Sequence, residues 1–155
     1  MCHYCGCRDI PLIKDFIAEH ERALHAAEEA LRALERKDPD RAHAWIATME
    51  AELEAHWQGE EEGLFLVMRG DPEYAAYIDV LEREHIELAA LLPRLDFRRE
   101  EDVEAFRAAV QELYDHISRE ENGLFPASLT ALSGDDWNTS MDAWRRAHPR
   151  ETLAR

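Results

Sequence analysis

Six residues able to ligate a metal interrupt the apolar helical stripes of this chain. His20 sits between Ile17 and Leu24, and His56 with Glu60 between Leu53 and Leu64. His85 lies between Leu81 and Leu88, and His116 with Glu120 between Leu113 and Leu124. Residues four apart share a helix face, so each His–Glu pair projects inward together. An unpaired imidazole or carboxylate in an apolar interior costs on the order of several kcal/mol, so six of them need strong compensation. Four imidazoles and two carboxylates suit two metal ions, each taking two histidines and sharing the glutamates as bridges. That donor set fits iron, manganese or zinc, and carboxylates favour iron where the metal is redox-active.

The pattern is written twice. Glu19-His20 recurs as Glu84-His85, and the stretch His56 to Phe65 recurs as His116 to Phe125, both reading H-x-x-x-E-E-x-G-L-F. Each half therefore reads as a helical hairpin, with one His on its first helix and an H-x-x-x-E pair on its second.

The elements that must carry these residues are legible from punctuation and periodicity. Asp9-Ile10-Pro11 reads as a helix start, with Asp9 near the N-cap and Pro11 in the first turn. Asp38-Pro39 starts a second helix, Gly70-Asp71-Pro72 ends it and opens a third, and Pro93 weakens or ends the third. Glu100-Glu101-Asp102 places negative charge at the start of a fourth. Ser133-Gly134-Asp135 begins a short final helix with Trp137, Met141 and Trp144, which would cover a bundle face or make a dimer contact. Apolar residues recur at helical spacing in each long segment, such as Ile13, Phe16, Ile17, Leu24 and Leu31 in the first. Four such helices with short connections predict an all-α, antiparallel up-down four-helix bundle. The segments are 1–9, a Cys-rich start; 10–133, the bundle; and 134–155, a C-terminal helix and tail. In such a bundle the midpoints between successive ligand positions fall at Pro39, at Asp71–Pro72 and near Glu101–Asp102, so all six groups can share one layer.

Composition narrows the function. A chain of 155 residues, 46% hydrophobic and 34% charged, is long enough for one domain with a real core. A net charge of −16 repels nucleic acid and anionic lipid, so neither is an expected partner. No apolar run is long enough to span a membrane, and the first residues lack the basic and apolar regions of a signal peptide. The expected location is cytoplasmic, as a monomer or homodimer.

The constellation resembles the hemerythrin-like (HHE cation-binding) family, over roughly Ile10 to Ser133. The resemblance implies an antiparallel four-helix bundle around a non-haem di-iron centre bridged by carboxylates. It also implies the ligand set His20, His56 with Glu60, His85, and His116 with Glu120. Two departures from the oxygen-carrying members stand out. Those members carry a second His one turn before the helix-three ligand, where this chain has Leu81. Their helix-four acid lies five residues after its His, which is Glu121 here, whereas the internal repeat points to Glu120. Glu121, and Glu61 in the other half, stay open as substitutes. A site poorer in His and richer in Glu resembles members that react with peroxide or dioxygen, or that sense iron or redox state.

The expected function is therefore a di-iron oxidoreductase acting on peroxide, dioxygen or nitric oxide. The alternatives are a non-catalytic protein that binds or senses oxygen, nitric oxide or iron, and a structural or storage protein, for instance of zinc. Cys2, Cys5 and Cys7 form C-x-x-C-x-C around His3, which reads as a separate metal site, a redox thiol pair or a tail without either role. Their odd number argues against a disulfide framework. His25, His43 and His148 fall off the layer and read as surface histidines. Tyr77 is two turns before His85 and reads as core packing or a hydrogen-bond donor near the site, and Trp45 and Trp57 as packing beside the core.

Overall fold

The computed structural model describes residues 7–153, and among them the chain is all-helical, with no strand. Helix α1 spans Ile13–Glu35, α2 Pro39–Gly59, α3 Phe65–Arg69, α4 Pro72–Leu91, α5 Glu100–Arg119, α6 Phe125–Ala131 and α7 Gly134–Ala147. Short 3-10 turns occupy Cys7–Asp9 and Leu92–Arg94. None of these helices is long and apolar enough to cross a membrane.

The start of α1 differs from the expected one. Asp9 belongs to the preceding 3-10 turn, and the N-cap is Leu12, whose backbone N–H donates to Asp15 Oδ2 at 3.0 Å. Leu12 holds a positive φ of 77° yet is fully buried, so burial of its side chain opposes the backbone cost. The other boundaries follow the sequence signals. Asp38 accepts the Arg41 N–H ahead of Pro39, Asp71 accepts the Glu73 N–H ahead of Pro72, and Pro93 sits in the 3-10 turn that closes α4. Ser133 and Asp136 form a reciprocal capping box at α7.

The two copies of H-x-x-x-E-E-x-G-L-F hold a feature that periodicity does not reveal. Glu60–Leu64 and Glu120–Leu124 wind as π turns, which join α2 to α3 and α5 to α6 without a break. In each, the amide five residues on closes the ring: Phe65 N–H to the Glu60 carbonyl, and Phe125 N–H to the Glu120 carbonyl. Such insertions are rare, and here they fall on the two paired-glutamate segments.

Apolar residues pack in two clusters, one on each side of the histidine level. One contains Ala27, Ile46, Leu53, Phe106 and Val110, and the other Leu12, Phe16, Leu64, Phe65, Leu81 and Phe125. Helix α7 packs against α2 and the first π turn. Helix α4 buries only Ile78, Leu81 and His85, so its second half stands away from α5 and leaves a cavity of about 460 Å³.

Helix α1 ends in a Schellman motif, with Asp38 N–H donating to the Ala33 carbonyl and Lys37 N–H to that of Leu34. Lys37 takes the left-handed position there, with φ of 59°. Lys37→Gly is expected to raise unfolding free energy by about 0.5–1 kcal/mol, measured by denaturant titration.

Candidate metal centre

His20, His56, His85, His116, Glu60 and Glu120 are all buried, and they meet at one level of the bundle. The first hairpin supplies a close pair of imidazoles, His20 and His56, with ring centroids 4.5 Å apart. The second supplies His85 and His116, at 4.8 Å. The two glutamates lie between the pairs. Glu60 places Oε1 2.9 Å from His56 Nε2 and Oε2 3.4 Å from His85 Nε2. Glu120 Oε1 is 3.1 Å from His116 Nε2 and 3.3 Å from His20 Nε2. Two sets of donor atoms, each converging within 4.8 Å, result: His20, His56, Glu60 and Glu120, and His85, His116 and Glu120.

Most of these donor atoms lack hydrogen-bond partners. Both oxygens of Glu60, both of Glu120, and Nε2 of His20 and of His56 are buried without one. The Nε2 atoms of His85 and His116 face each other at 3.1 Å. Carboxylate oxygens and imidazole nitrogens turned toward one another in an apolar interior fit cations placed among them. Leu81, one turn before His85, is fully buried and contributes no donor.

The outer nitrogen of every one of these histidines faces a second carboxylate. His20 Nδ1 is 2.8 Å from Glu121, and His85 Nδ1 2.8 Å from Glu61. His116 Nδ1 is 3.5 Å from Glu84, and His56 Nδ1 3.6 Å from Glu19. The internal repeat accounts for all four. The glutamate before each first-helix His serves the second-helix His of its own hairpin. The second glutamate of each Glu-Glu pair reaches the first-helix His of the other hairpin. At His20 and His85 the carboxylate on Nδ1 fixes a tautomer with Nε2 free for a metal, whereas Nδ1 of His56 and of His116 faces its glutamate without a hydrogen bond. Glu61 and Glu121 thus approach Nδ1 atoms, away from the Nε2 layer. Glu121 is held by Arg8, and Glu84 by Arg119.

Glu19 was not foreseen as a site residue. It is buried, accepts the Trp144 indole N–H at 3.1 Å, and stands 2.6 Å from His148 Nε2. His148 is therefore not a surface histidine. It is buried and stacked on Trp144, with centroids 4.2 Å apart, and its Nδ1 donates to the Trp144 carbonyl. Burial opposes charge on the His148 ring, but Glu19 and the Trp144 carbonyl hold it above its ordinary value.

The remaining expectations divide. His25 is exposed beside Trp45, and His43 accepts the Phe97 N–H at 3.4 Å, so neither reaches the layer. Tyr77 is half-exposed rather than core, and its hydroxyl donates to the Arg119 carbonyl at 2.7 Å. Trp57 stacks on His85 at 4.8 Å. Cys2 and Cys5, and the side chain of Cys7, lie outside the described residues.

Without a metal, protons take the place of cations. Burial by itself lowers the His56 value, but Glu60 and Glu19 outweigh that and push it up from 6.5 to about 9. Burial likewise opposes charge on His20, yet Glu120, Glu121 and Glu60 hold it well above its ordinary value. Burial favours a neutral Glu120, but His116 and His20 hold it well below the carboxylate range. A histidine raised in the folded state contributes stability that is present below its unfolded value and lost as pH rises through its folded value. The metal-free protein is therefore expected to lose thermal stability between pH 6.5 and about 9, while the metal-loaded protein, whose imidazoles are already deprotonated, holds its Tm across that window.

A model of the Hemerythrin HHE cation binding domain matches residues 12–128. No curated protein and no solved structure matches the chain. The matched segment runs from the N-cap of α1 into α6 and contains all six converging residues, so the chain belongs to the hemerythrin HHE cation-binding family.

Proposed function

We propose that this chain is a non-haem di-iron protein that reacts with small oxidants: peroxide, dioxygen or nitric oxide. The observation that carries the reading is the convergence of buried carboxylate oxygens and imidazole nitrogens from both hairpins, most of them without hydrogen-bond partners. In this reading residues 10–133 form an antiparallel up-down four-helix bundle, followed by the α7 segment at 134–155. His20 and His56 hold one iron, His85 and His116 the other, and Glu60 and Glu120 are shared. A redox-active metal pair supplies the electrons for reducing such oxidants when bound.

The protein's own residues make the two positions unequal. The cavity between α4 and α5 reaches His85 and His116 and is walled by Trp57, Leu88, Leu91 and Leu113. Its apolar walls suit entry of small uncharged molecules and exclude bulk water from the imidazoles. Leu81 gives the second-hairpin position one imidazole fewer than the oxygen carriers have, which leaves room there for an external ligand. The first-hairpin position is closed by Phe16 and Phe125, which pack on His56 and His20. The acidic surface and the lack of a membrane-crossing helix among the described residues agree with a cytoplasmic setting.

His56→Ala and His116→Ala are expected to remove most bound iron, measured by elemental analysis, while His25→Ala and His43→Ala retain it. Equal metal content in all four variants would refute the layer. A colourless protein isolated with zinc alone would refute the oxidant chemistry while leaving the layer in place.

A further inference from the structure

The family match ends at residue 128, yet α7 and His148, which lie beyond it, contact Glu19, the glutamate that faces His56 Nδ1. The two halves of the internal repeat differ at this point. Glu84, the second-hairpin glutamate facing His116, is partly exposed and paired with Arg119 on the neighbouring helix. Its first-hairpin counterpart Glu19 is sealed from solvent, and its held partners, Trp144 and His148, both come from the C-terminal segment. The sequence is adapted to that approach. A Cβ on Gly63 would stand 3.0 Å from Ser140 Cα and 3.0 Å from Ala143 Cβ, so α7 lies against the first π turn so closely that any larger residue would have to push it away by a few tenths of an ångström. The repeat-equivalent Gly123 instead faces the Tyr77 hydroxyl.

We propose that the C-terminal helix is a working part of the metal layer: Trp144 and His148 aim the buried Glu19 carboxylate at Nδ1 of His56 and are positioning residues for the first-hairpin ion. The inference rests on His56 being a ligand. Once Nε2 of His56 binds a cation, its remaining proton is on Nδ1, and Glu19 Oε1, at 3.6 Å, is the acceptor facing it. The indole N–H, bonded to Oε2, and the His148 ring, against Oε1, fix how far Glu19 can turn toward that proton. Outer carboxylates of this kind are worth about 10–100-fold in metal affinity.

The test uses the full chain, stripped of metal and titrated with Co(II), reading the affinity of each ion and its ligand-field absorption. Trp144→Phe and His148→Phe keep the stacked rings and delete the N–H donors. Each is expected to weaken one of the two ions about 10–100-fold and shift its absorption, leaving the other ion unchanged. In a Glu19→Gln background neither is expected to have a further effect. Coupling is reciprocal, so Co(II) loading of the unaltered chain should slow amide hydrogen exchange across residues 134–148. That second measurement needs no variant. Equal weakening of both ions, a lowered Tm with both affinities intact, or exchange across 134–148 indifferent to metal would overturn the proposal while leaving the layer standing. An unaltered chain that takes up no Co(II) would instead overturn the layer itself.

Discussion

Burial of charge-bearing groups without partners is the constraint on which this structure turns. Six donors from four helices and two π turns meet where two apolar clusters would otherwise close on each other. An interior of that kind tolerates carboxylate oxygens only against protons or cations. The flanking features follow from it. Outer glutamates hold His20 and His85 by Nδ1 and face His56 and His116, aromatic rings stack on His20 and His85 and meet His56 edge-on, and the π turns fall where paired glutamates must serve different levels.

The arrangement is two-fold in design and unequal in detail. Glu60 and Glu120 occupy equivalent places, and so do Glu61 and Glu121. Their settings diverge: Arg8 covers Glu121, while Glu61 is more exposed. One hairpin is closed over by α7, and the other opens through the gap beside α4. A pair of ions in such a frame would have one sheltered member and one accessible member, which suits chemistry in which a small molecule approaches from one side only.

Much of this was legible in the sequence. The helix starts at Asp38-Pro39 and Asp71-Pro72, the capped α7 and the six inward donors follow from caps, prolines and interrupted stripes, all of which are local signals. The duplicated Glu-His and Glu-Glu pairs also carried the outer glutamates, since both members of each pair recur at fixed spacing. Their roles were hidden because a 3.6-residue period puts neighbouring glutamates on different faces, and the π turns alter that relation. His148 left no comparable trace. It lies past the end of α7, outside any stripe, and its burial depends on the fold of a helix distant in sequence. The start of α1 departs from the sequence signal for a related reason: burial of Leu12 overrides the cap that Asp9 offers.

X-ray absorption at the iron edge of the iron-loaded chain tests the central claim most directly, because it reads donor type and metal separation together. A buried layer of four imidazoles and two shared carboxylates predicts nitrogen and oxygen neighbours, outer scattering from histidine rings, and an iron–iron component near 3.5–4 Å, the spacing general to two-metal sites. Isolated ions with oxygen neighbours only, or ions bound through sulfur, would contradict it.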